Sequence, residues 1–266
     1  VSAAVARMRT APVLAMLRKQ TWAEFIKLFR VPAFSTTSIV LPAMFYAFIG
    51  LGQAKQPLFA GSHVTFGEYF LGSMALYGVA NVMVLGFGIS IANERGQKQD
   101  LLMQSTPLPA AVFFVAKALS ALAIAVLALV ALFLLAELAG GIDLTATQWW
   151  TLTYRAMLCS VPFIGLGFAL GYIAGPNSAP AVTNLIYLPT AFASGLFFPL
   201  HLLPQFLQNI APYLPLYRGA QLVWDAVGTP VDTSITTDWL YMGGFTVAFF
   251  ALALWAYRRD QGRKFN

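Results

Sequence analysis

Few side chains in this sequence could do chemistry. There are two histidines, His63 and His201, one cysteine, Cys159, and ten acidic residues against sixteen lysines and arginines. No GxxxxGK[ST] occurs, so the chain cannot cradle ATP phosphates in a P-loop. No HExxH, no GxSxG and no pair of converging carboxylates occurs either. Both histidines fall in segments that read as outer loops, where a surface imidazole is the plainer reading than a metal ligand. A lone cysteine excludes an internal disulfide and a cysteine metal cluster, and in its apolar run Cys159 reads as a buried structural thiol. Asn81 and Asn184 also lie in apolar runs, where an amide more often joins helices than binds a cation. Lys117 lies near the end of such a run and can snorkel to the interface. Arg155 sits deeper in another, with Glu137 or Asp143 as expected partners near the same face. All ten acids fall near the ends of apolar runs or in loops, which argues against a proton-coupled carrier.

The elements that must position these groups are membrane helices. Hydrophobic residues make up 59% of the chain and charged residues 10%. A soluble domain is nearer 45–50% apolar and about 25% charged. Net charge is +6, which at a membrane points to anionic lipid and not to nucleic acid. The expectation is an all-α membrane protein, one transmembrane domain over 1–266. Six transmembrane helices are predicted at 33–52, 67–92, 110–136, 151–174, 181–198 and 239–257, each near the roughly 20 residues a bilayer needs. Gly167, Gly171 and Gly175 recur every four residues, a small-residue stripe for close helix approach. Trp149 and Trp150 read as an interfacial aromatic pair.

Ahead of the first span, 13–30 reads as an interfacial amphipathic helix. Trp22, Phe25, Ile26, Leu28 and Phe29 fall on one side, and Gln20, Glu24, Lys27 and Arg30 on the other. Residues 1–12 read as a cytosolic tail. The long charged N-terminal region argues against a signal peptide. Orientation follows from the basic residues. With the N-terminus inside, the inner segments hold six, two, none and four of them, so 12 of 16. Both termini are thereby placed in the cytosol.

Two segments do not span. Residues 93–109, NERGQKQDLLMQSTPLP, form a polar inner loop whose middle can make a short helix, with Thr106 and Pro107 starting the next span. A solvated connection and a docking helix for a cytosolic partner both fit those residues. Residues 199–227 are apolar, but Pro199, Pro204, Pro212 and Pro215 cut them into pieces too short to cross. Two short helices are expected there, in a re-entrant outer hairpin between spans five and six.

Four stretches together resemble the ABC-2 type membrane subunit of ATP-binding-cassette exporters. They are the amphipathic helix WAEFIKLFR (22–30), the loop NERGQKQDLLMQSTPLP (93–109), the broken segment GLFFPLHLLPQFLQNIAPYLPLYR (195–218) and the basic end YRRDQGRK (257–264). The loop departs from the family in having 97–100 where a more acidic stretch is expected. The resemblance implies a bacterial inner-membrane exporter moving an amphiphilic or lipid-like substrate outward. It implies two ATP-binding subunits that carry the ATP and Mg, so no cofactor in this chain, and a second copy or sister permease. It implies docking of the ATPase at Glu24, Lys27, Glu94, Arg95, Gln97, Asp100, Leu101 and Leu102. It implies a substrate path near Asn81, Asn184, Tyr187, Phe192 and Phe197. It implies an outer hairpin acting as a lid, with Phe198, Pro199, His201, Pro204, Pro215 and Arg218. An ATP-independent transporter or channel, and a non-transporting membrane assembly protein, are the rival readings; neither accounts for helix, loop and hairpin together.

Overall fold

The computed structural model describes residues 13–30, 32–97 and 109–264. The described residues are helical, apart from short turns and one isolated bridge between Pro57 and Thr65. In chain order the α-helices are α1 (Val13–Phe29), α2 (Pro32–Phe45), α3 (Phe66–Gly96), α4 (Ala110–Leu138), α5 (Ala146–Cys159), α6 (Val161–Ile173), α7 (Ala179–Ala193), α8 (Gln205–Ile210), α9 (Pro215–Ala226) and α10 (Ile235–Lys264). Among the described residues four helical stretches are long and apolar enough to cross a membrane: α3, α4, α5 with α6, and α10. Ser38–Gln53 is a shorter apolar stretch, in which α2 passes into a π turn at Tyr46–Gly50 and a 3-10 turn at Leu51–Gln53.

Helix α3 is the axis of the fold. At about 1.5 Å per residue its 31 residues reach some 46 Å. It starts on a capping box: the Thr65 hydroxyl accepts from the Glu68 N–H, and the Glu68 carboxylate accepts from the Thr65 N–H at 2.6 Å. Most of its side chains are buried, and it packs on α2, α4, α5, α6, α7 and α9. Gly167 and Gly171 bring α6 against it. A Cβ at Gly171 would lie 2.8 Å from Ile91 Cβ, whereas Gly175 falls in the turn beyond α6 and meets no helix there.

Several expected boundaries shift for local reasons. Helix α3 runs to Gly96, so Asn93–Gly96 are helical and not part of a loop. Span four breaks at Ser160: Pro162 near the start of α6 has no N–H to continue the ladder, and the Ser160 hydroxyl donates to Met157 O at 2.6 Å. The tryptophan pair separates, Trp150 remaining exposed while Trp149 packs on Phe133 at 4.8 Å between ring centroids. Span five ends at Ala193, where Gly195 takes φ +78°, and α10 extends well beyond both ends of 239–257. The two short helices expected in 199–227 are present as α8 and α9.

Outward-facing helices carry the apolar surface. Val115, Val126, Val130, Leu134 and Leu138 on α4, and Leu240, Val247, Leu254 and Trp255 on α10, are exposed. So broad an apolar band suits lipid rather than water.

Candidate functional site

Ionic clusters gather at the two ends of α3. At its C-terminal end, Lys117 of α4 is only 3% exposed. Its ammonium donates to Glu94 Oε1 at 2.6 Å, to Glu24 Oε2 at 3.0 Å and to Ser90 Oγ at 3.1 Å. Lys27 of α1 pairs with the same Glu94 oxygen, and the Gln20 amide donates to Glu24. The Ser120 hydroxyl donates to the Thr21 carbonyl at 2.8 Å. Two carboxylates and two ammoniums thus bind α1, α3 and α4 into one unit. Buried charges of this kind persist only when each is paired.

The cluster corrects two expectations. Lys117 does not snorkel; it turns inward because two carboxylates meet it there. The polar side of α1 is not wholly solvated either. Glu24 is buried against α4, while Trp22 and Phe29 stay exposed on the other side. The next residue, Arg95, reaches the opposite flank of α3. It donates to the carbonyls of Gly171 and Ala174 at 2.8 and 3.2 Å, and pairs with Asp260 of α10. Those carbonyls belong to the last turn of α6, where backbone acceptors lack helical partners.

A cavity of about 500 Å³ adjoins the cluster, between α1, α2, α3 and α7. Leu28, Phe34, Leu85 and Ile89 form its apolar wall; Lys27, Ser38, Ser90, Asn93, Glu94, Gln97 and Asn184 supply its polar atoms. It joins expected docking residues (Lys27, Glu94, Gln97) to an expected path residue, Asn184. Other path residues lie elsewhere. Tyr187 is buried and donates to Tyr77 O at 2.6 Å. Phe197 is buried between Phe45, Tyr77 and Phe192, with the exposed Phe192 ring stacked on it at 4.2 Å. Asn81 is buried, and its Nδ2 has no hydrogen-bond partner among the described residues. Asp100, Leu101 and Leu102 lie outside the described residues, as do residues 1–12 and the cap at Thr106.

At the N-terminal end of α3 the broken segment is anchored by charge. Arg155 of α5 donates to Asp225 Oδ2 at 2.6 Å and to Leu222 O at 2.8 Å. Glu137 and Asp143 are therefore not its partners; α9 packs on α5 and brings Asp225 within reach. Arg218 is buried, pairs with Asp238 at 3.0 Å, donates to Pro212 O at 2.7 Å and lies 4.0 Å over the Tyr241 ring. Trp224 Nε1 donates to Ser73 Oγ at 2.8 Å, and the Tyr69 hydroxyl donates to Gly195 O at 2.8 Å. Helix α9 is largely enclosed. Exposed apolar side chains are confined to the preceding stretch, at Phe198, Leu202, Phe206, Ile210 and Tyr213. Pro199 is buried, Pro204 is exposed at the start of α8, Pro215 opens α9, and His201 lies exposed beside Phe59.

The family profile described as ABC-2 type transporter matches residues 17–226, from α1 through α9. The chain belongs to the ABC-2 type transporter family. It is also 24% identical over 249 residues to the Bacillus subtilis (strain 168) protein described as "Putative transport permease YvfS", covering 92% of this chain and 98% of that one. The matched region of this ABC-2 chain takes in both ionic clusters except Asp238 and Asp260. Lys117, Asp225, Asp238 and Asp260 were not legible as partners. The available signal was a lysine and an arginine inside apolar runs, which marks an internal pair without naming it.

Proposed function

We propose that this ABC-2 chain is the membrane subunit of an ATP-driven exporter, moving an amphiphilic or lipid-like substrate outward with energy from a separate ATP-binding subunit. The observation that carries the reading is the cluster of Glu24, Lys27, Glu94 and Lys117. It couples the amphipathic α1 to the end of α3 and the start of α4, on either side of residues 98–108. A push on any of the three elements is thereby shared. Six crossings follow if Ser38–Gln53 and α7 join the four long stretches. The basic count then sets both termini in the cytosol of a bacterial inner membrane.

In this reading two ATP-binding subunits, holding ATP and Mg, contact the 94–106 segment and the cytosolic side of α1. Glu24 and Glu94 are buried, Lys27 borders the cavity and Arg95 is held against α6 and α10, so these four set the shape of the docking face. Exposed Gln97, with Asp100, Leu101 and Leu102, meets the partner. The path runs between two copies, or between this chain and a sister permease, past Asn184 and Phe192. With α9 anchored, the moving part of a lid is the stretch from Phe198 through Tyr213. The deciding experiment is co-purification with an ATP-binding subunit and export from proteoliposomes. Leu101→Asp or Leu102→Asp should abolish the complex while membrane insertion persists. Complex and export both retained in each variant would refute this docking assignment. For the lid, a reversible disulfide between Phe206→Cys positions of two copies, in a Cys159→Ala background, should stop export until reduced. Undiminished export with the link verified would make the segment a fixed cap.

A further inference from the structure

The geometry points to the cavity between α1, α2, α3 and α7 as a receptor for an anionic amphiphile, with Lys27 meeting the anion. This deepens the exporter reading and rests on it for direction, but not for binding. The volume, about 500 Å³, falls inside the roughly 300–1,000 Å³ range of small-molecule sites. Leu28, Phe34, Leu85 and Ile89 give the wall its apolar part, and the last turns of α3 with Lys27 give most of the polar atoms, joined by Ser38 and Asn184, so the lining offers an amphiphile both kinds of surface.

The sign of charge follows from how the cluster is wired. Glu94 Oε1 already accepts from Lys117 at 2.6 Å and from Ser90 at 3.2 Å, besides pairing with Lys27. Lys117 is enclosed and held by two carboxylates, so it cannot leave. Lys27 is the other case: its side chain is 43% exposed and it borders the cavity. When Lys27 swings away, Glu94 keeps Lys117 as its counter-ion. A cationic head entering the cavity would find Glu94, the one carboxylate among its described lining residues, already engaged by two ammoniums. An anionic head would find an ammonium that can turn to it on a flexible stem, with the exposed amides of Asn93 and Asn184 close by. Lys27 is thus a gate cation, passing between Glu94 and the ligand.

The test uses the full chain with its ATP-binding subunit in nanodiscs of zwitterionic lipid. Photoactivatable hexadecanoate is compared with the matching long-chain amine, and crosslinked peptides are mapped. The carboxylate probe should mark the segments holding Leu28–Phe34 and Leu85–Ile89; the amine should not. Lys27→Gln should lower that labelling about tenfold or more, the weight of one charge-assisted hydrogen bond, and Lys27→Arg should largely restore it. Ile89→Trp, which fills the cavity from its wall, should remove the labelling while gel-filtration behaviour and melting temperature are kept. Equal labelling by the amine, or labelling unchanged in Lys27→Gln, would overturn the proposal. Loss of labelling when the discs contain phosphatidylglycerol would assign the cavity to resident bilayer lipid and overturn it as a cargo site. Labelling that persists when no ATP-binding subunit associates would keep the cavity and defeat only the exporter reading.

Discussion

Replacing Lys117 by methionine should destabilise the protein out of proportion to the volume changed. Methionine nearly matches the lysine stem, so the perturbation is loss of one buried ammonium. Glu94 would still have Lys27 and Ser90. Glu24 would keep only the Gln20 amide, at 3.2 Å, and its side chain is just 7% exposed. Removing one partner of a buried pair costs about 3–5 kcal/mol, mostly the penalty on the charge left behind. With Glu94 still compensated, the lower end applies, about 3 kcal/mol. At about 2–4 °C per kcal/mol for a chain of this size, the melting temperature should fall by roughly 6–12 °C. The assay is thermal unfolding of purified protein in detergent, followed by the combined fluorescence of its six tryptophans. Adding Glu24→Gln to Lys117→Met removes the stranded charge and should recover at least half of the fall. A Lys117→Met melting temperature within about 2 °C of the parent would refute the reasoning, since a single buried pair should cost more. So would a double variant that melts lower still.

Four further outcomes are expected. Arg155→Met should cost about 1–3 kcal/mol, less than Lys117→Met because Asp225 is 31% exposed and can be hydrated; a melting comparison of the two checks the order. Gly167→Ala should destabilise by about 1–3 kcal/mol, since its Cβ would stand 2.9 Å from Phe87 Cβ. Gly243→Ala, with nothing within 4 Å, should raise the melting temperature slightly, and the reverse order would discredit the packing of α6 on α3. A His201→Cys, Cys159→Ala protein should react with an impermeant maleimide only from outside the cell, and labelling from the cytosol alone would overturn the orientation. Position 218 is unsuited to that assay because Arg218 is buried.

The helical class and the approximate places of the apolar helices were legible because both are written in local composition. The prolines around α8 announce short pieces. The capping box of Thr65 with Glu68 is an equally local signal, but the predicted span start at 67 does not use it. The mutual pairing of the charged residues was not legible. Lys117 meets Glu24 across 93 positions and Arg155 meets Asp225 across 70, and no local pattern encodes such a meeting. Arg155 therefore attracted the acids nearest in sequence, Glu137 and Asp143, and the true partner lay on a helix read as a separate hairpin. The polar side of α1 was misread for a related reason: a helical wheel separates faces but does not say whether the polar one meets water or buried charge. The break at Ser160 was foreshadowed by Pro162, but the surrounding apolar run reads as one continuous span.

The 93-residue interval between Glu24 and Lys117 also sets a timetable for biogenesis. At about 5–20 residues per second, α4 leaves the ribosome on the order of 5–20 s after α1. During that interval Glu24 lacks the ammonium that it meets in the folded chain, and α1 should be held less firmly than it is once α4 is in place. Glu94 can offer Lys27 a first partner, and Lys117 should then complete the docking. Chains truncated before position 117 should leave a Thr21→Cys thiol, with Glu24 kept in place, open to maleimide, and chains extending through α4 should protect it, since the Thr21 side-chain oxygen is buried; protection in both would mean that α1 settles without α4.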